Sequence, residues 1–103
     1  MIGQQELRSP QAHVALPCIL RRRNGAPIPV ETRDLGPRGM RITSPRPLAL
    51  DETVGFELPN LGMRVSGIAR VLRQERSHVY ALRFEGLPEP MTRRLHQLAI
   101  NSR

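Results

Sequence analysis

The residues best suited to chemistry in this 103-residue chain lie in one short stretch, Arg33 to Ile42, and in one arginine triplet, Arg21 to Arg23. The stretch places Asp34 just before Gly36 and Gly39, around a proline. Glycines on a turn allow a ligand or another backbone to approach closely. The planar fork of arginine donates two parallel hydrogen bonds to a phosphate or a carboxylate. Together these residue types indicate a surface that binds an anionic partner.

The overall charge points the same way. All sixteen basic side chains are arginine, and against nine acids they leave a formal charge of +7. A surplus of this size predicts anionic partners. The absence of lysine fits phosphate recognition, and it fits a base-composition bias of the genome equally well. The length predicts one domain, large enough to bury a core without metal or disulfide support.

The sequence also carries signals of compartment. Cys18 is the single cysteine, so an intrachain disulfide is excluded. No apolar run approaches the roughly 18 residues of a membrane span, and the first residues lack the apolar core of a secretory signal. These features predict a soluble, cytoplasmic protein without a membrane span.

No catalytic or metal-binding pattern stands out. His13, His78 and His96 fall on three separate elements, without acids or cysteines at the spacing of metal ligands. Cys18 lies on the apolar face of its predicted strand, which favours a buried thiol over a nucleophile. There is no glycine-rich loop followed by lysine. We therefore expect a protein that is not an enzyme and holds no resident cofactor or metal.

The hydrophobic pattern predicts the elements that must position the arginines and Asp34. Residues 1–12 are polar and without periodicity, which predicts a flexible arm before a domain over 13–103. Apolar residues alternate in six segments, which predicts strands at about 13–23, 27–34, 40–43, 53–58, 63–73 and 78–84. Asn24 and Gly25 predict a hairpin turn after the first strand. Leu87, Met91, Leu95 and Leu98 recur at helical spacing and predict one helix over about 88–101. This pattern favours a small antiparallel barrel or sandwich with a helix over one end or face.

The order of these parts resembles the PilZ domain family, bacterial six-stranded barrels that bind the second messenger cyclic di-GMP. The family pairs an RxxxR motif in the arm with a D/N-x-S-x-x-G motif after the second strand. Asp34, Gly36 and Gly39 occupy the second motif, with glycine in place of the serine. Gly67 to Val71 resembles the family's fifth strand, and Tyr80 to Phe84 its sixth. The resemblance spans roughly residues 8 to 100 and implies an all-β barrel with one C-terminal helix.

The arginine motif departs from the family pattern. The arm holds Arg8, but Ala12 stands four residues later, where the second arginine belongs. The resemblance implies a ligand site built from Arg8, Asp34, Gly36 and Gly39. The candidate contacts for an anion or an acidic protein partner are Arg21, Arg22 and Arg23.

Each candidate has a structural alternative. Asp34 could accept from a guanine edge, or it could cap its own turn. The two glycines could face a ligand, or they could answer a backbone φ requirement. Arg8 binds phosphate only if the arm folds back on the barrel, and the triplet could be a solvated strand end.

Two functions stay open. The first is a cyclic di-GMP receptor that signals by ordering its arm. The second is a degenerate relative that binds no nucleotide and acts as a protein-interaction module. Nucleic-acid binding is not expected, because Phe56, Tyr80 and Phe84 are the only aromatic residues and all three fall on predicted inward faces. Pro27 and Pro29 make the second strand a poor template for pairing with another copy, so we expect a monomer or a weak dimer.

Overall fold

A computed structural model describes residues 11–59 and 61–101, and this part of the chain contains six strands and one helix. The elements in chain order are β1 (Pro17–Arg21), β2 (Ile28–Leu35), β3 (Gly39–Thr43), β4 (Thr53–Leu58), β5 (Val65–Arg76), β6 (Val79–Glu85) and α1 (Glu89–Asn101). Residues 1–10, most of the predicted flexible arm, lie outside the described residues.

The strands close into a barrel in the order β1-β2-β3-β6-β5-β4, and β4 pairs back onto β1. Every pairing is antiparallel. The predicted fold, a six-stranded antiparallel barrel with a single C-terminal helix, is therefore confirmed. Pro29 lies in the first part of β2, which pairs with β1 alone, since pairing with β3 begins at Glu31. The missing proline N–H is thus tolerated at a place where only one neighbour needs donors.

The core fills the barrel and continues under the helix. The largest fully buried apolar side chains are Leu20, Leu35, Met40, Ile42, Leu58, Leu82 and Leu95. Phe56 and Phe84 stack across the interior with ring centroids 4.6 Å apart. On α1, Leu95 and Ala99 are buried, and Arg94 Nε donates to the Leu61 carbonyl at 2.6 Å. These contacts fix the helix against the barrel.

The first hairpin forms where the sequence predicts it, with a longer connection. Cys18 pairs with Val30 and Leu20 with Ile28, so the turn extends over residues 22–27. Gly25 takes a positive φ of 106°, and Asn24 does not. β1 is also shorter than predicted: residues 14–16 run beside β2 through the buried Thr32, whose N–H donates to the Leu16 carbonyl at 2.9 Å.

Candidate functional site

A β-bulge in β2 places Asp34 on the outer face of the barrel. Thr32 pairs with Ile42 and Asp34 pairs with Arg41, so the register shifts between Thr32 and Asp34. Residues that pair directly across two strands share a face of the sheet. Without the extra residue, Asp34 would follow Thr32 into the interior. The bulge instead sets Asp34 beside Arg41 and turns Leu35 into the core, where it is fully buried.

The Asp34 carboxylate is held by two basic side chains. Arg41 Nη1 donates to Oδ2 at 2.8 Å, and His13 Nδ1 contacts Oδ1. Arg41 in turn reaches Glu75 through Nη2 at 2.6 Å. Only 6% of the Asp34 side chain is exposed. Both carboxylate oxygens are thus engaged within the chain. Arg41 links Asp34 to Glu75 in an ion-pair network, and the exposed His13 contacts the other oxygen.

Neither turn glycine answers a backbone φ requirement. Neither has a positive φ. Gly36 N–H donates to the Gly39 carbonyl at 3.1 Å, which closes the turn. A Cβ at Gly39 would lie 2.2 Å from the backbone oxygen of Leu82. Glycine is therefore required at position 39 because β3 approaches β6 too closely for a side chain.

The position of the missing arginine lies inside the ladder. Ala12 is 2% exposed. Its N–H donates to the Leu35 carbonyl at 2.7 Å, and the Leu35 N–H donates back at 2.9 Å. Arg8, the other half of an RxxxR pair, lies outside the described residues. The described end of the arm thus brings His13, not a second arginine, to Asp34.

The arginine triplet lies at the other end of β2, and two of its three members are paired with acids. Arg23 is exposed and forms no hydrogen bond or ion pair with the described residues. Arg22 donates to Glu52 through Nε at 2.6 Å and Nη2 at 2.8 Å. These hydrogen bonds raise the pKa of Arg22 and lower the pKa of Glu52. Arg21 reaches Glu57 at 3.3 Å. Because Leu20 pairs with Ile28, roughly 20 Å of strand separates this end from Asp34. The structure does not bring the triplet and Asp34 together.

An open cleft of about 600 Å³ lies between the 36–39 turn, the end of β6 and α1. Its lining consists of Pro37, Arg38, Arg83, Phe84, Leu87, Glu89, Thr92, Arg93 and His96. The Phe84 N–H donates to the Arg38 carbonyl at 2.9 Å, which joins the turn to β6. We name this site the α1 cleft. The sequence does not mark its arginines as a group, because they are up to 55 residues apart in the chain. The pairing of β3 with β6 and the packing of α1 bring them together.

Other reactive side chains in the described chain offer no second site. Cys18 is buried as predicted, and this burial raises the pKa of its thiol to about 12. A thiol with so high a pKa is a poor nucleophile at neutral pH. Within residues 11–59 and 61–101, no three histidine, cysteine or acidic side chains cluster closely enough to hold a metal ion. In the same part of the chain, the helix is neither long enough nor apolar enough to span a membrane.

The closed barrel, the bulged Asp34 turn and the capping helix define a class of small β-barrel domains. Within that class, residues 4–101 match the family model described as the PilZ domain, and the chain belongs to this family. PilZ domains are binding and adaptor modules rather than enzymes. The resemblance seen in the sequence is therefore confirmed.

Two solved structures share the fold at low sequence identity. The Bacillus subtilis inhibitor of motility, MotI/DgrA, matches with a TM-score of 0.74 and 13% identity over 91% of this chain and 49% of its own, so this chain spans about half the length of that protein. The PilZ domain of CeSA from a cellulose-synthesizing bacterium matches with a TM-score of 0.66 and 15% identity over 88% of this chain and 95% of its own. No curated protein matches the sequence.

Proposed function

We propose that this PilZ-type signalling domain acts as a protein-interaction module and does not bind cyclic di-GMP at its Asp34 turn. The observation that carries the proposal is the occupied carboxylate: Arg41 and His13 engage both oxygens of Asp34, and 6% of the side chain is exposed. In the family, an acid at this position is implied to accept from a guanine edge. Here the acceptor is already used by the protein.

Displacing these internal partners would cost a ligand much of its affinity. A hydrogen bond to a charged group contributes about 1.5 to 3 kcal/mol, so a guanine competing with Arg41 begins at a deficit of that order. Arg41 is also held from its other side by Glu75. The changes at Gly36 and Ala12 remove a serine hydroxyl and an arginine that would otherwise repay the loss.

The test is calorimetric titration with cyclic di-GMP at moderate salt. We expect no binding heat at ligand concentrations near ~100 µM, which corresponds to about 5.5 kcal/mol of binding free energy. Arg8→Ala and Asp34→Asn are titrated beside the wild type. Binding that is present in the wild type and lost in either variant would establish the receptor function and overturn the proposal.

The receptor hypothesis is kept as a second candidate because of one observation. Arg38, on the same turn as Asp34 and Gly39, carries a guanidinium that forms no hydrogen bond or ion pair with other residues of the described ranges. It could contact a phosphate placed over the turn. Cyclic di-GMP binding that survives Asp34→Asn and fails in Arg38→Gln would favour this alternative, with the phosphates held from the α1 cleft.

A further inference from the structure

Building on the interaction function proposed above, we propose that the α1 cleft docks an acidic segment of a partner protein. The segment would place carboxylates against Arg38, Arg83 and Arg93, and an apolar side chain on the floor between them. The site lies at the opposite end of β2 from the arginine triplet that the sequence favours.

The α1 cleft carries positive charge that the described residues do not neutralise. The guanidinium groups of Arg38 and Arg83 form no hydrogen bond or ion pair with the residues that the structure describes. Arg93 reaches only Glu89, at 3.2 Å, and these side chains are 68% and 83% exposed. Such an exposed ion pair contributes little to the stability of the fold. Glu85, which is paired with Arg70, also attracts Arg83 without a direct ion pair. The lining of the cleft thus holds three arginines and one acid, Glu89, and this imbalance complements an acidic partner.

The α1 cleft also has apolar side chains in its lining. Pro37, Phe84 and Leu87 line it between the arginines. A segment that carries acids beside an apolar residue could pair its charges and bury the apolar side chain at the same time. A nucleotide fits less well, because Phe84 is 8% exposed and its ring stacks on Phe56. No open aromatic face is left for a base to stack on.

The backbone segments that carry the cleft arginines are held in place within the fold. Arg83 in β6 pairs directly with Gly39, the first residue of β3 after the turn. The Phe84 N–H fixes the backbone of Arg38 at 2.9 Å. Arg93 sits on a helix anchored by the buried Leu95 and Ala99. Because the backbones that carry the arginines are already held, a partner would order only their side chains on binding.

The probe for the test is a fluorescein-labelled peptide of repeated Glu-Glu-Leu units, followed by fluorescence anisotropy at low salt. A Gln-Gln-Leu peptide of equal length is the uncharged control. We expect the acidic peptide alone to bind, and the double variant Arg38→Gln/Arg83→Gln to weaken binding at least about tenfold, as loss of charge-assisted hydrogen bonds implies. Amide NMR shifts caused by the peptide should concentrate on the cleft residues.

The matched control is Arg46→Gln/Arg76→Gln, which removes the same charge from two exposed arginines that have no ion pair in the described chain. We expect this variant to weaken binding less than about twofold, since it alters only long-range attraction. Equal weakening by both variants would reduce the effect to net charge and overturn the site. Peptide shifts centred on Arg21 to Arg23, or no binding of the acidic peptide, would overturn it as well.

Titration with cyclic di-GMP separates this inference from the proposed function. If the nucleotide fails to bind and the peptide also fails, the cleft inference is wrong and the assignment as a non-receptor stands. If the nucleotide binds through Asp34 while the peptide still requires Arg38 and Arg83, the non-receptor function is wrong and the cleft stands. Competition of the nucleotide with the peptide for the same arginines would overturn the non-receptor function and leave the cleft as the site of both ligands.

Discussion

Arginines lie near both ends of β2, and the two groups differ in how far acidic side chains neutralise them. At one end, Arg21 and Arg22 are consecutive in the sequence, and each is paired with a glutamate of another segment. At the other end, Arg38 and Arg83 are 45 residues apart in the chain and share one cleft. Neither forms a hydrogen bond or ion pair with the described residues, and Arg83 is attracted to Glu85 only over a longer distance. The end that is denser in arginine along the sequence thus has one arginine of its triplet without a hydrogen bond or ion pair, Arg23, while the cleft has two, Arg38 and Arg83.

This difference shows that positive charge available for binding is a property of the topology. β4 runs beside β1 and brings Glu57 to Arg21, while Glu52, just before β4, meets Arg22. No acid of β3 or β6 reaches Arg38 in the same way within the described chain, and Glu85 of β6 is engaged by Arg70 instead. Strand order therefore decides which arginines remain free for a partner.

The largest effect on stability should come from Gly39→Ala, which disturbs the pairing of β3 with β6 beside the α1 cleft. The new Cβ would lie 2.2 Å from the Leu82 oxygen, so β3 and β6 must separate. We expect a loss of about 3 kcal/mol or more in the free energy of unfolding. Because the chain has no tryptophan, urea unfolding is best followed by far-ultraviolet circular dichroism.

Gly55→Ala is the matched control at the triplet end. Its Cβ would meet Arg21 Cβ at 3.7 Å, an ordinary contact, so we expect a change within about 0.5 kcal/mol. Equal destabilisation by the two substitutions would contradict the role given to Gly39.

Asp34→Asn should have the next largest effect. It leaves Arg41 with Glu75 as its remaining ion-pair partner in the described chain and removes a buried charge that Arg41 and His13 contact. We expect a loss of about 1 to 2 kcal/mol, below the cost of breaking a fully buried pair because Arg41 is partly exposed.

Glu57→Gln is the comparison, since its partners Arg21 and Arg64 are exposed. It should cost less than about 0.5 kcal/mol. If Asp34→Asn proves as mild as Glu57→Gln, then Asp34 is only weakly held, and the main support for the non-receptor proposal is lost.

The sequence predicts the fold well because the fold depends on local periodicity. Alternation over Thr53 to Leu58 matches β4 at both ends, and the helical spacing of Leu87 to Leu98 locates α1 within a residue of its observed start. The first strand is the exception. Its alternating pattern extends from Val14 to Leu20, but the Thr32 hydroxyl accepts from the Leu16 N–H and donates to the Val14 carbonyl. These side-chain bonds replace a regular ladder there, so the strand begins only at Pro17.

The candidate site is only partly predictable, for a different physical reason. Asp34 and Gly39 can be found because a turn motif is contiguous in sequence. Their roles depend on the bulge after Thr32 and on the approach of Leu82, which are contacts between strands. No pattern within the turn encodes either contact. The α1 cleft depends on three distant segments and has no linear signal at all.

Arg22→Gln and the double variant of the cleft compare the paired and the unpaired arginines directly. Arg22→Gln removes two hydrogen bonds to Glu52 and one to the Pro47 carbonyl, so we expect a loss of about 0.5 to 1 kcal/mol. Arg38→Gln/Arg83→Gln removes no such bond and should change stability by less than about 0.5 kcal/mol, with any gain due to relieved repulsion. Thermal unfolding at matched salt measures both. A cleft variant as destabilised as Arg22→Gln would mean that the cleft arginines serve folding rather than binding.

The smallest effect concerns the pH dependence of the triplet end. The hydrogen bonds from Arg22 lower the pKa of Glu52 below its usual value. A carboxyl whose pKa is lower in the folded state contributes stability that is present above its unfolded pKa and is lost as the pH falls through the folded value. The stability difference between wild type and Glu52→Gln, at most about 1 kcal/mol, should therefore stay constant from neutral pH to about pH 5 and shrink below about pH 4, given the ordinary glutamate pKa near 4.3.

In an Arg22→Gln background most of this pH-dependent difference should disappear, because the pKa of Glu52 is lowered chiefly by Arg22, with a smaller contribution from the Ala49 N–H. An unchanged difference in that background would show that Arg22 and Glu52 are not coupled in solution, and the triplet would then have a second free arginine to compete with the cleft for an acidic partner.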